Sequence, residues 1–200
     1  VSGTYTVINS LAFSGVENLT GGTANDHFAF SGAGMVGGTI TGGDGLGVDM
    51  LDYSTYGVGV TAHLGTTTAT GTNGVYGVEN LTGSDFDDDL SGDAGPNIIK
   101  GGLGSDTVNY LGSTAFVTVN LPAGTANGTT IDTDTLISIE NATGSPFADT
   151  LIGTGGPNIL TGGGGDDTLT GGAGNDTYVF GDNAGTDTIT DTGGLDTFDF

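Results

Sequence analysis

Asp149, Asn158, Asp167 and Asp176 stand nine residues apart, in the consecutive stretches GSPFADTLI, GTGGPNILT, GGGGDDTLT and GGAGNDTYV that run from Gly144 to Val179. Oxygen-bearing side chains repeated at one place beside glycine turns are donors for a hard cation, which takes carboxylate and backbone carbonyl oxygens. Two residues after each of them stands a large apolar residue: Leu151, Leu160, Leu169 and Tyr178. Each nonapeptide therefore reads as a turn, a ligand and a short strand.

The unit recurs upstream. GSDFDDDLS, GDAGPNIIK and GGLGSDTVN place Asp88, Asn97 and Asp106 sixth, and GGTANDHFA places Asp26 there. GGDGLGVDMLDY carries Asp49 after two extra residues, Gly47 and Val48, and the pattern continues loosely to Asp187 and Asp196. The insertions disturb register, so Asp26, Asp49, Asp187 and Asp196 are placed behind the others as ligands. Asp182, Asp191 and Asp199 read equally well as turn formers that bond their own backbone.

A three-residue strand with one inward side chain buries almost nothing by itself, so the units have to stack. If two nonapeptides make one coil with strands on opposite sides, residues 18 apart become neighbours. Their separation is then the interstrand distance of about 4.8 Å. This puts Asp149 over Asp167, Asp88 over Asp106 and Asn158 over Asp176. Carboxylates that close repel and raise each other's pKa unless a cation lies between them. With no cysteine and no repeated histidine, an all-oxygen donor set points to Ca²⁺ over Mg²⁺, which holds its waters.

Composition agrees. Among 200 residues there are 21 Asp, three Glu, one Lys and no Arg, a formal charge of -23 that excludes nucleic-acid binding and makes cations the expected partners. Glycine, at 42 residues, has no collagen period, and 34% hydrophobic residues at fixed offsets argue against disorder. No apolar run is long enough to span a bilayer as a helix. No nucleophile, base and orienter cluster, so no enzyme active site is expected.

A longer period overlies the short one. GVENLTG at Gly15 and Gly77 returns as SIENATG at Ser138, spacings of 62 and 61 residues, and contains all three glutamates, Glu17, Glu79 and Glu140. It divides the chain into superrepeats 1–77, 78–138 and 139–200, read as one continuous β-solenoid and, since the pattern is cut at both ends, as part of a longer chain. The β-forming spacers YSTYGVGVTAHL and YLGSTAFVTVNL are expected to continue the solenoid, giving about three coils per superrepeat. The marker asparagines Asn18, Asn80 and Asn141 read by default as a corner between coils, with glycosylation or an extra glutamate ligand as alternatives. His27, His63 and Lys100 are expected at the surface, and the outward Thr107, Thr150, Thr168 and Thr177 reflect β-propensity.

The unit GGxGxDxUx, matched at every defined place by Gly162–Val179 and by Gly101–Asn109, resembles the RTX (repeat-in-toxin, hemolysin-type) calcium-binding repeat. The resemblance implies a right-handed parallel β-roll, several Ca²⁺ ions held in its turns, secretion from Gram-negative bacteria and folding on extracellular calcium. Carried over residue by residue, it makes ligands of Asp88, Asp106, Asp149, Asp167 and Asp176 with the carbonyls of Gly102, Gly104, Gly163, Gly165, Gly172 and Gly174. Asn97 and Asn158 depart from the pattern and offer oxygen without charge. The function expected is a structural calcium-binding module of a large secreted or cell-surface protein such as an adhesin, surface layer or filament, with copies of itself as partners through exposed strand edges. The alternative is the non-catalytic calcium module of a secreted enzyme or toxin.

Overall fold

A computed structural model describes residues 16–181 and 183–200; Gly15 and Asp182 lie outside the described residues. The described residues form short strands and no α-helix. Most strands are Thr-, Val-, Leu- or Ile-rich triplets bounded by turns, with two of six and seven residues, and the middle side chain of a core triplet points inward because strand residues alternate faces. Leu51, Leu81, Leu90, Ile99, Val108, Leu151, Leu160, Leu169 and Tyr178 are all fully buried and stack into the single core of the roll.

The first superrepeat supplies β1 (Leu19–Thr20), β2 (His27–Gly32), β3 (Thr39–Thr41), β4 (Met50–Tyr56), β5 (Thr61–His63), β6 (Thr68–Ala69) and β7 (Gly74–Tyr76). The second supplies β8 (Asn80–Thr82), β9 (Asp89–Ser91), β10 (Ile98–Lys100), β11 (Thr107–Asn109), β12 (Val117–Asn120), β13 (Thr125–Gly128) and β14 (Asp134–Ile137). The third supplies β15 (Asn141–Thr143), β16 (Thr150–Ile152), β17 (Ile159–Thr161), β18 (Thr168–Thr170), β19 (Thr177–Val179), β20 (Thr188–Thr190) and β21 (Thr197–Asp199).

One face is a ten-stranded sheet in the order β2-β4-β8-β10-β14-β13-β12-β16-β18-β20. The other consists of β1-β3-β7 and the eight-stranded β6-β5-β9-β11-β15-β17-β19-β21. These two parts meet where the Val75 N–H donates to the Thr67 carbonyl at 3.0 Å, between β7 and the residue before β6. Regular coils pair in parallel at a step of 18 residues, Leu151 beside Leu169 and Leu160 beside Tyr178. The two-residue insertion before β20 is absorbed in the turn, since Leu169 pairs with Ile189. This is a parallel β-roll, as the resemblance implied.

The spacers differ from expectation. Instead of adding coils, each doubles back on one face of the roll. β12 runs ahead to pair with β16, β13 returns antiparallel to it, and β14 drops in beside β10. In the first superrepeat β5 runs ahead to β9, β6 returns antiparallel, and β7 joins β3. The backbones match in detail: Thr67 and Gly124 take φ of 59° and 66°, Gly77 and Ser138 take 56° and 52°. Val60, Ala62 and Leu64, and Val117, Val119 and Leu121, are the buried sides of these strands. Each meander occupies one half-turn, so consecutive superrepeats cross the roll an odd number of times and exchange faces. β8 lies in the ten-stranded sheet, whereas its equivalents β1 and β15 lie in the sheets opposite.

Leu160→Ala in the middle of the ladder is expected to cost about 2–5 kcal/mol, because neighbouring coils cannot close over the cavity. Ile159→Ala, on the half-exposed outer side of the same strand, is expected to cost much less. Denaturant unfolding in saturating calcium measures both.

Candidate metal centre

The sixth-place residues form hydrogen-bonded ladders along the roll. The backbone N–H of each donates to a carboxylate oxygen one coil on: Asp88 to Asp106 Oδ1 (3.0 Å), Asp149 to Asp167 Oδ1 (2.8 Å), Asn158 to Asp176 Oδ1 (2.8 Å), and Asp26 to Asp49 Oδ1 (2.7 Å). Asp187 and Asp196 join these ladders despite the insertion, accepting from Asp167 (2.9 Å) and Asp176 (3.1 Å). Where a ladder meets a superrepeat boundary, a marker glutamate closes it: Glu79 Oε2 accepts from Asp49 N–H at 2.7 Å and Glu140 Oε2 from Asp106 N–H at 3.0 Å. The marker asparagines are corners, as expected by default. Oδ1 of Asn18, Asn80 and Asn141 accepts the N–H of Thr39, Ile98 and Ile159 in the next coil.

The second oxygen of each carboxylate separates the turns into two kinds. In one kind a Ser or Thr follows the opening glycine and satisfies the ligand internally. Ser84 N–H and Oγ both donate to Asp88, Ser145 N–H and Oγ both donate to Asp149, and Thr154 N–H donates to Asn158 Oδ1. The asparagines also spend their amide N–H on the marker backbone, Asn97 on Glu79 O and Asn158 on Glu140 O. An aspartate there would set a carboxylate against that carbonyl.

In the other kind the second place is glycine in the left-handed region, Gly102, Gly163 and Gly172 at φ of 128°, 104° and 107°. A Cβ at any of the three would come under 3.0 Å of a carbonyl oxygen one coil away, that of Ser84, Ser145 or Thr154, so both dihedral and contact require glycine. These turns give their aspartate no second donor. Asp106, Asp167 and Asp176 are at most 1% exposed, and the Oδ2 of each is buried without a hydrogen-bond partner. A buried charged oxygen left unpaired costs several times a normal hydrogen bond. Three of them at the three turns that match the repeat fully fit a bound cation, and oxygen donors at glycine turns suit calcium. Gly104, Gly165 and Gly174, the other predicted glycines, share left-handed φ values of 119°, 101° and 131° and pack on the preceding coil.

The electrostatics follow this division. Burial pushes the Asp106 carboxyl up to about 7, with the charges of Asp88 and Glu140 adding to it. Burial likewise raises Asp167 to about 6, helped by Asp149 and Asp187. Asp88 and Asp149 are raised by burial too, but N–H donors from Val60 and Ser84, and from Val117 and Ser145, pull them back.

Sequence reasoning missed Asp134. It is fully buried in β14, accepts from Asn97 N–H (2.9 Å) and Tyr110 Oη (2.8 Å), and takes the sixth place of a coil that lacks the glycine turn. The triplet Asp134-Thr135-Leu136, identical to Asp149-Thr150-Leu151, was the signal. His63 is less open than expected: its side chain is 22% exposed and faces Asp89 at 3.2 Å, while His27 pairs with Asp52 at 2.7 Å on the outer surface.

A parallel roll with unpaired carboxylates buried in its glycine turns is built as a metal-binding solenoid. The RTX calcium-binding nonapeptide repeat, in four copies, matches residues 73–112 and 143–178. No curated protein matches the chain.

Proposed function

We propose that this chain is a structural calcium-binding module of a large secreted or cell-surface bacterial protein, in which Ca²⁺ ions lock the turns of a β-roll. The observation that carries the reading is the set of unpartnered Oδ2 atoms of Asp106, Asp167 and Asp176 beside left-handed glycines. The ions sit at these turns first; Asp49, with Gly43 at φ 132°, belongs to the same kind. The Asp88, Asp149, Asn97 and Asn158 turns serve mainly as internally bonded spacers between them. Extracellular calcium modules bind at about 10⁻⁴–10⁻³ M, a range suited to a protein that sets its shape only after export.

The role is mechanical and not catalytic. His63 Nε2 faces the Asp89 carboxylate, and the neighbouring Ser91 Oγ donates to the Gly92 carbonyl at 3.2 Å. Calorimetric titration with Ca²⁺ at neutral pH is the test. Saturable binding of more than one ion, accompanied by a gain of β circular dichroism that Mg²⁺ does not reproduce, is the expected result. Absence of saturable binding, or equal action by Mg²⁺, would overturn the reading.

A further inference from the structure

Beyond the family-matched residues the roll continues through β20 and β21, and there one turn changes its chemistry. Tyr178 pairs with Phe198, which sets Asp191 at the place that Gly171 holds one coil earlier. The seven nonapeptides opening at Gly83, Gly92, Gly101, Gly144, Gly153, Gly162 and Gly171 have glycine at this place.

Asp191 is therefore a carboxylate where the repeat has no side chain. Its oxygens, with those of Asp176 and Asp196, lie within 4.8 Å of one another. Asp176 is 1% exposed, and its Oδ2 has no hydrogen-bond partner. A Cβ on Gly171 would come under 3.0 Å of Asp176 Oδ2, Asp191 Oδ2 and Tyr178 Oη, so these three oxygens converge over that glycine.

The group is held in place from several sides. Tyr178 Oη donates to Asp191 Oδ2 at 2.5 Å and accepts the Gly171 N–H at 3.0 Å. Asp191 Oδ1 accepts the Gly193 N–H at 2.8 Å, and Asp196 Oδ1 accepts the Asp176 N–H at 3.1 Å. No protein cation balances the three carboxylates, since the one lysine, Lys100, sits in β10. Three converging carboxylates, one of them buried and short of a partner, need a counter-ion.

We infer that Asp176, Asp191 and Asp196 form a divalent-cation site that differs from the glycine turns of Asp106 and Asp167, with calcium as the fitting ion and Asp191 as its added ligand. Tyr178 is a positioning residue that aims Asp191 at Asp176. Calcium affinity rises with the number of charged ligands, so this site fills before the turns of Asp106 and Asp167. The inference rests on the calcium reading above, and the test separates the two.

Calcium titrations of the chain are compared with those of Asp191→Asn and of Asp191→Gly, the latter restoring the residue the repeat uses at this place. Asp191 is only half-buried, and β circular dichroism in saturating calcium verifies folding of each variant. Both variants are expected to lose the tightest binding step, or to weaken it about 10-fold or more, while keeping the remaining ions. Terbium bound to the parent chain and excited through tyrosine should lose emission in both. If the variants bind as many ions as the parent with unchanged tightest affinity, this site is refuted and the calcium reading stands. If the parent chain binds no calcium, both fall.

Discussion

Withdrawing calcium at neutral pH is expected to remove most of the stability of the roll. Each occupied site stabilises the folded chain by about 2.7 kcal/mol when free calcium is 100 times its dissociation constant. Three such sites contribute about 8 kcal/mol, which is comparable to the whole stability of an ordinary domain. Nothing else in the chain replaces them. The net charge is -23 with a single lysine, and the carboxylates of Asp106, Asp167 and Asp176 are buried against like charges. Thermal unfolding followed by circular dichroism, in calcium and in excess chelator, measures the difference. High salt in chelator is the control. Screening by salt reduces repulsion between exposed charges but reaches buried ones poorly, so it should restore only a small part of the loss. An unchanged thermal midpoint in chelator would sink this expectation, and full recovery in sodium chloride would show that bulk charge, not the turn sites, governs folding.

The second large effect is a reversal of pH dependence on loading. In the metal-free chain Asp106 titrates at about 7, and Asp134 and Asp167 at about 6, all above the ordinary 3.8 because they are buried. The folded state therefore holds more protons than the unfolded one between about pH 4 and 7, and stability must rise as pH falls through that window. With calcium bound the sign turns over. Ligating carboxylates are deprotonated, so protons compete with the ion and acidification releases it. Thermal midpoints of resin-stripped protein should climb between pH 8 and pH 5 on the order of the shifts just described, whereas those of calcium-loaded protein should fall. Parallel slopes in the two states, or no slope in the stripped one, would contradict the assignment of these carboxylates.

Much of this was legible in the residues, for a physical reason. A period of nine with one inward apolar side chain leaves stacking as the only way to build a core, and stacking fixes which aspartates meet. Asp149 beside Asp167 and Asn158 beside Asp176 follow from counting. What separates the turns lies one residue after the opening glycine. Ser84 and Ser145 donate to their own carboxylate and Thr154 to the Asn158 amide oxygen, while Gly102, Gly163 and Gly172 leave theirs unserved, and a repeat read only at its sixth place treats the two alike. The meanders were hidden differently. Val117-Thr118-Val119-Asn120 alternates like any half-buried strand, but whether it pairs with β10 or runs ahead to β16 depends on partners more than twenty residues away. Asp134 was overlooked because its coil reaches the ligand place through a meander and not a glycine turn.

The exchange of faces has a consequence for anything that recognises this surface. The corner formed by Asn80 opens toward one side of the roll, and the same corner at Asn141 opens toward the other. A motif written once per superrepeat is thus displayed in two opposed directions, and along either side it returns only at every second unit, a span of 123 residues from Asn18 to Asn141. A surface laid along one side would meet half of the superrepeats, and the alternate ones would face the reverse. The geometry makes the roll a two-sided ruler whose graduations are interleaved.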